Sequence, residues 1–429
     1  MIPTLAVIAA LTIFVVTEAL DRAQYDSRVQ LPSWLDQGGA ADARDLLSAT
    51  AGAIITTLGL VLSITVLTLQ IASTQFGQRM LRRFMSDRGT QVSIGIFSAT
   101  FVFSLLTLLS VVSRPGQREY VPWLSVWVST LLAMSCIGVL IYFINHVAMS
   151  IQVNLVLAEI RDDLGRVVRE PRNGSEPRMP GDLALPTVDF SLRVPASGYL
   201  QFIDYGALVA LAEQDRVRIQ FLVRPGQFLM EGAVVATGAY DDRAGRASEV
   251  PPRLAASFGR TLVLGSYRTL VQDPEFAIFQ IVEIAVRAMS PAVNDPFTML
   301  TCVDWLGDGL REIAQTPIHS PVHADPTGIP RVIEQPDRFE DLLAAAFDPL
   351  RQVARESPAA TVRMFDTCAA LAPALPTREQ LAALRAEVEL IHEGFDKDAV
   401  SRDRADVEAA YARAVRAIEL SRAKLEAAL

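Results

Sequence analysis

Residues 46–78 read LLSATAGAIITTLGLVLSITVLTLQIASTQFGQ, a run without Asp, Glu, Lys or Arg. An α-helix needs about 20 predominantly apolar residues to cross the hydrocarbon core of a bilayer. Three further stretches, residues 1–17, 89–113 and 120–158, are also free of charge. The sequence therefore predicts an α-helical multi-pass membrane domain over residues 1–160. Its four transmembrane helices are expected at about 2–20, 48–74, 91–112 and 122–146, and the last is expected to continue as a stalk to residue 160.

The first of these segments has two interpretations. Its length is close to the lower limit for a span, so a cleaved signal peptide is one of them. However, the segment has no basic residue before its apolar core, and no small-residue cleavage pattern precedes Glu18. A retained helix is the favoured interpretation.

Arginine placement predicts the orientation of the spans, because basic residues near span ends are retained on the cytoplasmic side. The loop between the second and third spans holds four arginines and one acid: Arg79, Arg82, Arg83, Arg88 and Asp87. Residues 18–45, with six acids and three arginines, then lie outside. We expect a protein of the bacterial inner membrane whose C-terminal half is cytoplasmic.

The composition argues against several classes of protein. Hydrophobic residues make up 51% of the chain and charged residues 20%, and the mean hydropathy is +0.28, which is unlike an ordinary soluble enzyme. The net charge of −9 argues against nucleic acid as a partner. Three widely spaced cysteines form neither a disulfide framework nor a zinc ligand set.

Beyond the spans, the pattern predicts an α+β domain. A Pro- and Gly-containing stretch predicts a linker over residues 161–187. Short β-rich runs predict a β-rich domain over residues 188–270, and helical segments dominate residues 271–429. The predicted strands are 188–194, 199–202, 217–223, 228–230, 234–236 and 260–264.

The glycines at 226, 232 and 238 are spaced like the turns of a small β-sandwich or barrel. This part resembles the biotinyl/lipoyl domains, weakly and over about fifty residues. A swinging-arm role needs a lysine at the hairpin tip, and the only lysines are Lys397 and Lys424. Lipoylation and biotinylation are therefore excluded, and no cofactor is expected.

One face of the second span carries small and polar residues at helical spacing. They are Gly52, Thr56, Gly59, Ser63, Gln70, Ser73 and Gly77. Such a face does not point at lipid, because unsatisfied polar groups in hydrocarbon are costly. It either packs closely against another helix or lines a pore. Because four spans cannot both pack and surround water, a pore requires several copies of the chain.

Two further groups of residues have a structural and a functional interpretation. Arg79, Arg82 and Arg83 fix topology and contact anionic lipid, or they form an anion-attracting ring at the inner mouth. In the C-terminal half, four residues lie in dense polar turns: Arg268, Asp273, Asn294 and Asp295. Asp273 and Asp295 each precede a proline at a helix start, which favours helix capping, and contact with a ligand or another domain is the alternative.

The sequence gives no positive sign of catalysis. His319, His323 and Asp325 have a spacing that suggests metal ligation, but no convincing further ligand accompanies them. No nucleophile elbow, P-loop or dinucleotide-binding turn is present. We expect neither catalytic residues nor a metal site, and no enzyme.

Several runs together resemble a widespread bacterial family of uncharacterised predicted membrane proteins. The runs are LLSATAGAIITTLGLVLSITVLTLQIASTQFGQRMLRRFMSDRG, GVLIYFINHVAMSIQ, SGYLQFID, LVRPGQFLMEG, RTLVQDPEF and RAMSPAVNDPFT. The resemblance covers essentially the full chain. It implies a multi-pass inner-membrane protein and brings no activity, ligand or catalytic residue.

Two hypotheses of function follow. The first is a homo-oligomeric ion channel or passive pore that the second span lines and the cytoplasmic domain gates or filters. The predicted spans lack charged residues at mid-membrane depth, which argues against an energised carrier. Its expected partners are membrane lipid, further copies of the chain and inorganic ions. The alternative is a membrane-anchored sensor or scaffold whose cytoplasmic domain, about 240 residues long, binds a ligand or a protein.

Overall fold

A computed structural model describes residues 2–27, 39–76, 87–113, 119–169, 188–242, 249–316, 321–396 and 400–427. The chain forms two compact units, Met1–Val156 and Leu157–Leu429. Each unit has a hydrophobic core of its own.

Where the structure describes it, the first unit contains four long helices. They are α1 (Ile2–Ser27), α2 (Ala40–Phe76), α3 (Arg88–Ser110) and α4 (Trp123–Ser150). All four contain segments long and apolar enough to cross a membrane, namely Ile2–Tyr25, Ala40–Gln75, Arg88–Ser110 and Trp123–Ser150. The prediction of four candidate transmembrane helices is therefore confirmed. The helices α1 and α2 are longer than the predicted spans.

Helix α3 is the packing centre of this unit and contacts α1, α2 and α4. Its buried positions are mostly small, hydroxyl or phenylalanine residues. At Gly95, a Cβ would lie 3.2 Å from Ala6 Cβ, so the glycine permits the close approach of α1. The hydroxyls of Ser104 and Ser129 are 2.7 Å apart and join α3 to α4. Close packing through small residues thus occurs on α3.

A short break separates α4 from the following helix, α5 (Val153–Arg169), where the sequence predicted one continuous helix to residue 160. The end of α4 is satisfied locally, since Ser150 Oγ donates to the Val147 carbonyl and the Gln152 amide donates to that of Met149. Residues 161–169 of the predicted linker are helical, and residues 170–187 lie outside the described residues.

The second unit contains two open β-sheets. Six strands form in the predicted region: β1 (Phe190–Arg193), β2 (Gly198–Ile203), β3 (Val217–Phe221), β4 (Phe228–Leu229), β5 (Val234–Tyr240) and β6 (Leu262–Gly265). Two more, β7 (Val322–Ala324) and β8 (Pro330–Ile333), come from the region predicted to be helical. The sheet orders are β1-β5-β3-β8-β7 and β4-β2-β6, and β8 pairs with β3 in parallel.

The two sheets contribute to one core. Leu192 and Ile219 from the larger sheet and Leu200 and Ile203 from the smaller sheet are all buried in it. The helix α6 (Tyr205–Asp215) and the short helix α7 (Pro252–Ser257) pack beside these strands. Neither sheet closes on itself, so the sandwich or barrel description stays a prediction.

Six longer helices complete this unit. They are α8 (Pro274–Ala288), α9 (Pro296–Gln315), α10 (Phe339–Ala354), α11 (Pro358–Leu371), α12 (Arg378–Gly394) and α13 (Ser401–Ala427). Helix α5 packs on α9, where a Cβ at Gly165 would lie 2.8 Å from Glu312 Oε1. Arg161 adds ion pairs to Asp308 and Glu312. The mixed helical and sheet character expected of the C-terminal half is confirmed.

Candidate functional site

Five of the seven small and polar residues predicted to share a face of α2 point away from the rest of the first unit. Gly52, Thr56, Gly59, Ser63 and Gln70 are exposed. The opposite face carries Ile54, Leu58 and Val61, which are buried in a core shared with α3 and α4. At helical spacing the two faces are about 180° apart. We call the exposed face of these five residues the α2 stripe.

The α2 stripe is a shallow surface between larger apolar side chains. A Cβ at Gly52 or Gly59 would meet no atom within 4 Å. Ile55 and Leu62 flank the stripe on one side, and Leu60 and Leu67 flank it on the other. Each of these four side chains is between 44% and 55% exposed. Another helix could approach the glycines closely at this surface.

The hydroxyl groups of the stripe are satisfied within the helix. Thr56 Oγ1 donates to the Gly52 carbonyl at 2.8 Å, and Ser63 Oγ donates to the Gly59 carbonyl at 2.9 Å. Their oxygen lone pairs still point outward as acceptors. Ser73 is half-buried. Gly77 and the predicted inner-mouth arginines Arg79, Arg82 and Arg83 lie outside the described residues.

In the second unit, Arg268, which is partly buried, and Asp273, which is buried, form a bidentate ion pair. Arg268 Nε donates to Asp273 Oδ2 at 2.8 Å, and its Nη2 donates to Oδ1 at 2.7 Å and to Glu275 Oε2 at 2.9 Å. The guanidinium also lies over the ring of Phe279, 5.0 Å from its centroid. Burial disfavours the charge of Arg268, but Asp273 and Glu275 outweigh it and raise its pKa. Burial raises the pKa of Asp273, against the effect of Arg268.

Asp273 has a second partner, because its Oδ1 accepts from the Phe276 amide at 3.0 Å and caps α8. The carboxylate is only 2% exposed. This geometry supplies a rigid ion pair at a helix start, with its carboxylate oxygens occupied by protein donors. We call this ion pair and its contacts a structural joint, because its polar atoms, in the part of the chain that the structure describes, bond protein groups and leave no open ligand site.

Three of the runs that carried the family resemblance meet at this ion pair. Gly226, from LVRPGQFLMEG, has a φ of +93°, and a Cβ there would lie 2.2 Å from Asp273 Oδ2. Its amide donates to the Leu200 carbonyl in SGYLQFID. Gln272 bonds both the amide and the carbonyl of Ile203. The joint therefore ties β2, the β3–β4 turn and the start of α8 together.

The second polar turn forms a separate feature. Asp295 caps α9, accepting from the amide and the hydroxyl of Thr298. Asn294 is exposed and has a φ of +48°, and Phe297 beside it is 79% exposed. Among the described residues, no hydrogen bond or ion pair is found between this turn and the Arg268–Asp273 pair.

Two of the three residues whose spacing suggested metal ligation, His323 and Asp325, make other contacts in the structure. The His323 ring is buried and stacks on Tyr205 at 4.3 Å. Asp325 accepts from Arg331 Nε at 2.8 Å and from the amides of Thr327 and Ile329. His319 lies outside the described residues. Within the described ranges, no group of three or more His, Cys, Asp or Glu side chains could hold a metal ion.

Sequence reasoning missed a polar joint between α1 and α4. Asp21 accepts hydrogen bonds from the amides of Leu124 and Ser125 at 3.0 Å and from Ser125 Oγ at 2.7 Å. Ser125 Oγ also lies 3.0 Å from Thr17 Oγ1. Asp21 and Glu18 are buried at one end of α1, so the predicted span 2–20 is not free of buried charge. The sequence around these acidic residues gave no local indication that they contact α4.

Comparisons with known proteins give relatives over most of the chain. Uncharacterized proteins of Mycobacterium tuberculosis (strain H37Rv) and Mycobacterium bovis are each 31% identical over 391 residues, which cover 89% of this chain and 74% of each relative. No solved structure matches. A family model described as "Predicted membrane protein (DUF2254)" matches residues 1–370. The chain therefore belongs to this family of predicted membrane proteins.

Proposed function

We propose that the protein forms a homo-oligomeric channel or passive pore in the bacterial inner membrane, lined by the α2 stripe. The observation that carries the proposal is the exposure of Gly52, Thr56, Gly59, Ser63 and Gln70 on a helix long enough to span a bilayer. A polar, narrow face is costly in hydrocarbon. Since its own unit does not cover this face, further copies of the chain or water would have to.

The distribution of charge supports a passive pathway over an energised carrier. Acidic and basic residues of α2 and α3 lie near helix starts, at Asp42, Arg44, Asp45 and Arg88. Pumps place ionisable groups at mid-membrane depth, where they relay protons or bind coupling ions. Asp21 of α1 is engaged in capping α4. The arginine-rich loop of the sequence supports a cytoplasmic C-terminal body that would gate or filter the pathway.

Ion flux through liposomes tests this function. We expect the purified protein to conduct small inorganic ions above the level of empty liposomes, and Ser63→Leu to lower the flux by about tenfold because it narrows and dries the pathway. Ser135→Leu is the matched control, since Ser135 is exposed on α4 and its hydroxyl bonds the Leu132 carbonyl of its own helix. Flux equal to that of empty liposomes would remove the channel proposal.

A membrane-anchored sensor or scaffold is the second candidate. It is supported by the compactness of Leu157–Leu429, which has its own buried core. This function would leave the α2 stripe as an assembly surface only. Stable oligomers without flux, together with saturable binding of a small-molecule ligand to the full chain, would favour it over the channel.

A further inference from the structure

A small cavity with a mixed polar and apolar lining lies where α2, α3 and α4 meet near the end of α2. Its polar lining residues are Thr65 and Thr68 of α2, Asp87 and Thr90 at the start of α3, and Ser150 at the end of α4, and its apolar ones are Leu69 and Val147. Its volume of about 20 Å³ is close to the minimum of about 10–15 Å³ that one water-sized occupant requires. The cavity therefore has room for one water or one small ion.

The lining is rich in acceptors and poor in free donors. Thr65 Oγ1 donates to the Val61 carbonyl and Thr68 Oγ1 donates to the Ile64 carbonyl, both at 2.8 Å. Ser150 Oγ donates to the Val147 carbonyl at 2.9 Å. Because a hydroxyl has a single hydrogen, these three groups have only lone pairs left for an occupant. Such a lining favours a cation.

Asp87 supplies the negative charge. Its Oδ2 accepts from the Thr90 amide at 2.7 Å and lies 2.7 Å from His146 Nε2. The Thr90 hydroxyl also bonds this carboxylate, whose two oxygens have about four lone-pair sites between them, so acceptor capacity is left for an ion. The end of α4, where Val147 and Ser150 line the cavity, adds the negative pole of its helix dipole. One carboxylate with neutral oxygens suits a monovalent ion better than a divalent one.

The position of His146 is fixed by its neighbours. The ring stacks on Tyr142, with centroids 5.4 Å apart. A Cβ at Gly89 would lie 2.6 Å from His146 Nε2 and 2.8 Å from the Tyr142 hydroxyl. Glycine therefore allows α4 to approach the start of α3, so that His146 orients the Asp87 carboxylate.

We propose that this cavity binds one small monovalent cation, Na⁺ or K⁺, held by Asp87 and by the hydroxyl oxygens of Thr65, Thr68 and Ser150. The bound ion joins the ends of three helices. Thr65 and Thr68 are half-buried, on the side of α2 that packs in the bundle. The site is thus distinct from the α2 stripe and does not depend on the proposed pore.

Cation-dependent thermal unfolding of the full-length protein in detergent tests this site. NaCl or KCl replaces N-methylglucamine chloride at constant ionic strength. We expect at least one of the two ions to raise the unfolding midpoint and to saturate, because an ion that binds only the folded state stabilises it. Equilibrium dialysis with radioactive Na⁺ or Rb⁺, the latter standing in for K⁺, should give one bound ion per chain.

Two variants and a control test whether the cation dependence of unfolding arises from this cavity. Thr68→Val removes one ligand oxygen and keeps the shape, so the apparent affinity should fall by about tenfold. Asp87→Asn should abolish the cation dependence. Thr130→Val is the matched control, because Thr130 bonds the Val126 carbonyl in the same way and does not line the cavity. Wild-type protein that neither binds an ion nor responds to Na⁺ or K⁺ holds only water there, and the proposal is then overturned. An equal response in Thr68→Val and wild type overturns it as well.

Discussion

At the scale of single residues, two glycines of the second unit share a left-handed backbone but differ in what surrounds them. Gly226 combines a left-handed backbone with contact to the Arg268–Asp273 pair. Gly232 has a similar φ of +80°, but a Cβ there would meet nothing within 4 Å. Alanine substitutions at the two positions therefore distinguish the free-energy cost of backbone strain from that of steric crowding.

We predict that Gly226→Ala destabilises the protein much more than Gly232→Ala. The strain of a left-handed non-glycine residue costs about 1 kcal/mol, and both variants carry it. Only Gly226→Ala also displaces the Asp273 carboxylate, so its total cost should reach about 3 kcal/mol. Chemical unfolding of the full-length variants measures the difference. Equal losses in the two variants would contradict the role given to the ion pair.

Glu387 on α12 makes stability depend on pH. The side chain is 4% exposed, and burial together with Asp348 raises its pKa to about 7, against the effect of Arg351. Between pH 4.5 and pH 7 the folded protein keeps this proton, whereas the unfolded chain has released it. Stability should therefore fall by about 3 kcal/mol as the pH rises through this window.

Glu387→Gln should remove this dependence, because the amide is neutral at every pH. Glu393→Gln on the same helix is the control, since Glu393 is exposed and its substitution should leave the pH profile unchanged. Unfolding midpoints measured from pH 4.5 to pH 8 provide the comparison. A Glu387→Gln profile parallel to that of wild type would exclude this carboxyl as the cause.

Local signals identified some residues of these sites and missed others. Asp273 and Asp295 were predicted as helix caps because Asp-Pro is a local pattern, and both cap helices. Arg268 and Gly226 were noticed separately, but their contact joins segments that only the fold brings together. Asp21 and Ser125 are 104 positions apart, so no spacing rule could have paired them.

At the scale of helices and strands, α1 is joined to the bundle through Asp21. This carboxylate occupies the place of an N-cap for α4, where Pro122 makes no side-chain cap bond. We predict that Asp21→Ala lowers the thermal unfolding midpoint by about 5 °C, because the amides of Leu124 and Ser125 lose their partner in a buried place.

The control for this variant is Asp42→Ala at the start of α2. Asp42 is exposed and accepts from the Gly39 amide at 2.8 Å, so its loss should shift the midpoint by only about 1 °C. Equal shifts of the unfolding midpoint in the two variants would contradict the role of Asp21 in holding α1 against α4.

The limits of prediction at this scale have physical causes. Strands β1 to β6 alternate with turn residues and were recognisable. By contrast, β7 and β8 are short strands isolated among helices, so no run of neighbouring strands indicated them. β8 pairs with β3, and β7 pairs with β8, so both depend on segments that only the fold brings together. The break after Ser150 has no Gly or Pro to announce it and depends on local capping.

At the scale of the whole molecule, a bundle and a mixed α/β body share one chain. Helical spacing placed the residues of the α2 stripe on one face, because the period of a helix is fixed. Spacing could not decide whether another helix of the same chain covers that face. The exposure of the stripe in the folded chain makes assembly with further copies the central claim.

Thiol cross-linking in native membranes tests that claim most directly. Ser63→Cys would be compared with Leu131→Cys, in a background where the buried Cys136, Cys302 and Cys368 are replaced by alanine. Leu131 is 70% exposed on α4 and is the matched lipid-facing control. With a short bifunctional thiol reagent, we predict covalent dimers through position 63 and none through position 131, because one thiol per chain can be linked to only one other chain. Monomers alone at position 63, under conditions that label its thiol, would contradict the account.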